Sequence, residues 1–74
     1  MHVGEQLRRL RKEFSYTLLM LDKKLPYGTG NFSNYENGKS NPTDATLLKI
    51  LTKGYDFSKE QSQEIIRLWR KEEF

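Results

Sequence analysis

The stretch Phe32-Ser33-Asn34-Tyr35-Glu36-Asn37-Gly38-Lys39-Ser40-Asn41-Pro42 decides how this chain is read. Phe32 and Tyr35 stand three apart, so on a helix they share one side and can anchor it in a core. Ser33, Asn34 and Asn37 point another way, with side chains that both donate and accept hydrogen bonds. Asn37-Gly38 supplies a left-handed residue to stop the helix, and Lys39-Ser40-Asn41-Pro42 follows as a basic, polar turn. Amide and hydroxyl side chains of this kind can pair with base edges, and a lysine-bearing turn beside them can hold phosphate.

Upstream of this stretch, Val3, Leu7, Leu10 and Phe14 recur every three or four residues with Arg8, Arg9, Arg11 and Lys12 between them, which predicts an amphipathic helix over 3–14. Thr17 is placed to cap a second helix running to about Lys24. Leu25-Pro26-Tyr27-Gly28 must turn, because proline disfavours helix at Leu25 and Gly28 is permissive. The third helix therefore begins near Thr29. Downstream, Thr43 caps a fourth helix whose Asp44 suits the positive end of the dipole and whose Leu47, Leu48, Ile50 and Leu51 face inward; Gly54 lies near its end. Ser58-Lys59-Glu60-Gln61 has the form of a capping box and opens a fifth helix over about 59–73. No period-two run of β-branched residues exists, so the expected class is all-α, five helices and no sheet.

The 74 residues allow one domain, residues 1–74, that buries roughly 60% of its unfolded surface. Thirteen Lys and Arg against ten Asp and Glu leave a net charge of +3, a mild bias that suits a polyanionic partner. The chain has no cysteine, which removes disulfides, cysteine-based zinc sites and thiol catalysis and fits a reducing cytoplasm. No apolar run approaches the ~20 residues that span a bilayer, so no membrane partner is expected. His2 has no Cys or carboxylate at ligand spacing and reads as a disordered tail residue. No nucleophile-base pair, phosphate-cradling glycine loop or paired carboxylates can be assembled, so neither enzyme nor cofactor nor metal site is expected.

Two short helices joined by a tight turn, then a polar helix and a basic loop, are the parts of a DNA-binding helix-turn-helix, here over about 17–38. In those residues the chain resembles the lambda-Cro and phage-repressor type of helix-turn-helix regulators, the XRE family, from Val3 to Phe57 without a gap. The family's Leu-Arg-x-Leu-Arg is matched by Leu7-Arg8-Arg9-Leu10-Arg11. Its Ile-Ser-x-Ile-Glu-x-Gly-x-x-x-Pro is matched by Phe32 to Pro42, and the spacing between the two blocks is kept.

The resemblance implies a compact lambda-repressor-like domain that binds operator DNA in the cytoplasm as a small regulator, a repressor by the family's habit. It implies that Thr29, Gly30, Asn31, Ser33 and Asn34 face the major groove. Asn34 is the foremost candidate for base reading, since its amide can bond adenine N6 and N7 together; Ser33 either reads a base or simply packs against the second helix. Lys39, Ser40, Asn41 and Thr17, with Arg8 or Arg9, are the expected phosphate contacts. Arg11 and Glu36 fall where the family often forms an internal salt bridge.

Three positions depart from the pattern. Leu18 stands where a backbone-clamping glutamine is usual. Gly30 offers no side chain where a long polar one is common, and with Gly28 loosens the first turn of the third helix. Asp22 replaces the small residue that lets the second and third helices approach, so their crossing is expected to differ.

Leu18, Leu19 and Met20 are either core or an interaction patch. On the fifth helix, Ile65, Leu68 and Trp69 are expected inward and Ile66 and Phe74 outward, where Ile66, Trp69 and Phe74 are candidates for homodimer contacts. The competing function is a helix-turn-helix scaffold that binds another regulatory protein through Leu18 to Met20 or the fifth helix, with little DNA affinity.

Overall fold

The computed structural model describes residues 2–73; Phe74, a candidate dimer contact, lies outside the described residues. Five α-helices follow one another: α1 (Val3–Glu13), α2 (Leu18–Lys24), α3 (Thr29–Glu36), α4 (Asp44–Lys49) and α5 (Lys59–Lys71). Among the described residues there is no strand, and no helix is long and apolar enough to cross a membrane. The radius of gyration, 11.1 Å, is that of a single folded unit, about 11 Å for this length.

The helix starts follow capping chemistry. Thr17 Oγ accepts from Met20 N at 3.1 Å and Thr43 Oγ from Thr46 N at 3.2 Å. Ser58 and Gln61 close a full capping box, Gln61 N to Ser58 Oγ at 3.0 Å and Ser58 N to Gln61 Oε1 at 3.1 Å. His2 is not a loose tail residue: its Nδ1 accepts from Glu5 N at 3.3 Å and caps α1, while Nε2 meets Glu5 Oε1 at 3.1 Å. An imidazole with its proton on Nε2 satisfies both contacts.

The fourth helix does not run to Gly54 as an α-helix. Beyond Lys49 the chain widens into a π-helical turn, Ile50–Gly54, where the Thr52 hydroxyl donates to Leu48 O at 2.7 Å and competes for the carbonyl ladder. The turn keeps Ile50 and Leu51 fully buried and delivers Tyr55 to the same core, with Val3, Leu7, Leu21, Leu25, Phe32, Leu47 and Ile66.

On α5 the inward side expected for Ile65 and Trp69 holds, both packing half-buried against the core, but Ile66 and Leu68 are exchanged. Ile66 is buried, 7% exposed, and Leu68 is the exposed one at 44%. Adjacent apolar residues at 65–66 and 68–69 admit two phases, and the phase adopted buries Ser62 and Ile66 on one stripe, the small serine allowing close packing. Ile66 is thus a core residue and not a dimer contact.

α1 lies across α3, which also packs on α2, while α4 and the π turn pack on α5. The α1–α3 crossing is close because of Gly4: a Cβ there would stand 1.8 Å from the Tyr35 carbonyl oxygen. Behind the main core, Phe14, Tyr16, Tyr55 and Phe57 form an aromatic layer, with Tyr16 and Tyr55 stacked at 5.3 Å and Phe14 edge-on to Tyr55 at 5.0 Å.

Candidate nucleic-acid interface

The polar face of α3 is set by its buried one. Phe32 and Glu36, four apart, are the two buried residues of the helix, so Thr29, Gly30 and Asn31 are exposed and Ser33 and Asn34 half-buried at the rim. Glu36, 5% exposed, would be costly as a lone charge. Arg11 meets it with two hydrogen bonds, Nε to Oε2 at 2.6 Å and Nη2 to Oε1 at 2.9 Å, and spends Nη1 on the Tyr16 carbonyl at 2.9 Å. These bonds to Glu36 raise the Arg11 pKa above its ordinary value. One guanidinium therefore ties α1 to α3 and to the loop before α2.

Arg8 joins the same brace. Its Nε lies 3.4 Å from Glu36 Oε1 and its Nη2 donates to Asn37 Oδ1. Of the two arginines expected at phosphates, Arg8 is thus committed to the end of α3, whereas Arg9 is exposed.

The turn before α3 is fixed by Asp22, the residue expected to alter how α2 and α3 cross. Asp22 Oδ1 accepts from Gly28 N at 2.6 Å, pinning the turn to α2, and Gly28 at φ 94° starts α3 from a backbone conformation few side-chain-bearing residues adopt. Asp22 thus anchors the α2–α3 turn from its half-buried position. Gly30 has open space where a Cβ would stand, so the first turn of α3 presents bare backbone.

On the exposed face the polar groups differ in freedom. Asn31 Nδ2 donates to the Tyr27 carbonyl. Ser33 Oγ accepts from Asn37 Nδ2 at 3.2 Å. Asn34 has its carbonyl occupied by Lys39 N at 2.9 Å and Ser40 N at 3.3 Å, a wrap that brings the basic turn back over the end of the helix. Its side-chain amide has no hydrogen-bond partner among the described residues.

Lys39, Ser40 and Asn41 are all exposed. Their loop is moored by Arg70 on α5, which the sequence reading did not single out. Arg70 reaches Asn41 Oδ1 at 3.1 Å, Pro42 O at 2.6 Å and Asp44 Oδ1 at 2.9 Å. Separations of 26–29 residues gave no local pattern to find it by. Asn41 is therefore partly occupied, and Lys39 is the one cation of the loop with no ion pair among the described residues.

Comparisons with protein-family models, with curated proteins and with solved structures found no match.

The apolar start of α2 divides. Leu18 is half-buried and packs against the core, whereas Leu19 is 59% exposed and Met20 45% exposed. Thr17, beside them, is exposed with its hydroxyl used by the cap. Trp69 packs half-buried against the core.

Proposed function

We propose that this chain is a small regulator that binds double-stranded DNA sequence-specifically, in the manner of lambda-repressor-like helix-turn-helix proteins, with α3 in the major groove. α2, the Asp22-pinned turn and α3 then form the helix-turn-helix. The observation that supports this most is the Asn34 amide, free among the described residues, on a helix braced at Glu36 and beside a loop whose Lys39 has no ion pair among those residues. Asn34 is positioned for adenine N6 and N7, Thr29, Asn31 and Ser33 for neighbouring groups, and Lys39, Ser40 and Arg9 for phosphate. Gly30 lets backbone approach the bases. Arg8 acts by holding Glu36 and Asn37.

A second reading is favoured by Leu19 and Met20, whose exposure on a helix so close to the readable face suits docking on another protein. A homodimer would use the exposed Leu68 side of α5 and the flank of Trp69. Salt separates the readings: the DNA reading expects duplex affinity to fall steeply with salt as counterions are released. Affinity indifferent to salt, or absent down to the usual non-specific range, would favour the protein-docking reading.

A further inference from the structure

The residues around the readable face include four asparagines, Asn31, Asn34, Asn37 and Asn41, followed in turn by phenylalanine, tyrosine, glycine and proline. Asparagine loses its side-chain amide when the backbone nitrogen of the next residue attacks its Cγ, so that next residue governs the reaction. Proline has no N–H to activate, and an aromatic side chain crowds the attacking nitrogen. Gly38 alone offers an unhindered amide. We propose that Asn37 is a site of spontaneous deamidation, with water as co-reactant, that the folded end of α3 holds shut and that opens when this end frays.

Three restraints hold it. Asn37 has ψ 1°, which turns Gly38 N towards the nitrogen of Asn37 itself and away from the side of Cα that bears Cβ. Gly38 N is also engaged, donating to Tyr35 O at 3.2 Å. The carboxamide is tied at both ends, Oδ1 by Arg8 Nη2 and Nδ2 to Ser33 Oγ at 3.2 Å. Asn37 is exposed, so once these contacts break, water and hydroxide have immediate access.

In the open state Gly38 N gives its proton to hydroxide and bonds to Cγ; the Cγ–Nδ2 bond breaks and ammonia leaves with a proton from water. The cyclic imide then takes up one water at either carbonyl, giving aspartate or isoaspartate, with no change of oxidation state. The product adds a negative charge at the C-terminal end of α3, where the helix dipole is already negative and Glu36 lies adjacent. The iso form also lengthens the main chain by one methylene ahead of Lys39. On the proposed DNA reading, ageing at this one residue weakens duplex binding, although the modification itself does not depend on that reading.

The test is to hold the full chain in mildly alkaline buffer, native or in denaturing urea, and follow the amide-to-acid mass gain. Trypsin releases residues 25–39 as one peptide, so Asn31 and Asn34 serve as internal controls. Conversion confined to Asn37, and slower in the native chain by about tenfold or more, is expected from the cost of opening a helix end. Arg8→Ala, which frees Oδ1, and Ser33→Ala, which frees Nδ2 and leaves Arg8 on Glu36, should each speed the native reaction while circular dichroism shows the fold retained. Equal native and denatured rates, conversion at Asn34 as fast as at Asn37, or native rates unchanged in both variants would overturn the proposal.

Discussion

The guanidinium of Arg11 holds both carboxylate oxygens of Glu36, at 2.6 and 2.9 Å, across the interface between α1 and α3. With Glu36 only 5% exposed, the pair is a structural joint. Removing Arg11 strips the buried Glu36 carboxylate of its two short bonds and leaves it only the longer contact to Arg8 Nε at 3.4 Å, so Arg11→Ala is expected to cost about 3 kcal/mol, a drop in melting midpoint of about 10 °C or more for a chain of this size. The double variant Arg11→Ala/Glu36→Ala should lose less than the sum of the two single losses. Strict additivity in circular-dichroism melts would show that the two side chains do not act as a pair.

Gly4 is the second joint. Its Cβ would lie 1.8 Å from Tyr35 O, a backbone atom that no rotamer change can move aside. Gly4→Ala must therefore push α1 off α3, at a cost of about 3 kcal/mol or more. A urea midpoint within experimental error of the parent chain would contradict the close crossing.

Much of the fold was legible because its determinants are local. The caps at Thr17, Thr43 and Ser58 and the stop at Asn37-Gly38 lie within four residues of what they satisfy and mark α2 to α5, while α1 follows from the three-to-four spacing of Val3, Leu7, Leu10 and Phe14. The Arg11–Glu36 contact was expected from the resemblance of Leu7 to Arg11 and Phe32 to Pro42 to a helix-turn-helix pattern, not from charge alone. What escaped reading depends on distance or on phase. Gly4 matters only once α3 lies across it, and Arg70 acts on a loop 26–29 residues away. Asp22 looked like an oversized spacer until the turn folded back to give it a backbone N–H. The paired apolar residues of α5 permit two phases, and only packing around Ser62 decides between them. His2 caps α1 although histidine is outside the usual N-cap set.

Burial pushes the Tyr55 phenol well above its ordinary pKa, and the neighbouring Glu36 charge adds to the shift. A raised folded-state pKa gives stability that is intact below the unfolded value, about 10, and is lost as pH rises beyond it. Melting midpoints should therefore fall in this alkaline window, and Tyr55→Phe should reduce that fall relative to the parent chain. Parallel curves for the two proteins would contradict the assignment.

Asn34 and Lys39 are expected to fail in different ways. Asn34→Ala should cost about 1–3 kcal/mol of affinity for the preferred duplex and relax the preference at one base position. Lys39→Ala should weaken all duplexes alike and lower the salt slope by about one. Fluorescence anisotropy over a salt series distinguishes these patterns, and identical effects of both variants on every duplex would remove Asn34 from base reading.

Reading of double-stranded DNA by the exposed face of α3 is tested most directly by selecting bound duplexes from a random pool at low salt. An enriched motif is expected, with half-sites about one helical turn apart if two chains bind together, and a changed preference when Asn34→Ala is used in the selection. A pool that shows no enrichment of any sequence over successive rounds would contradict it.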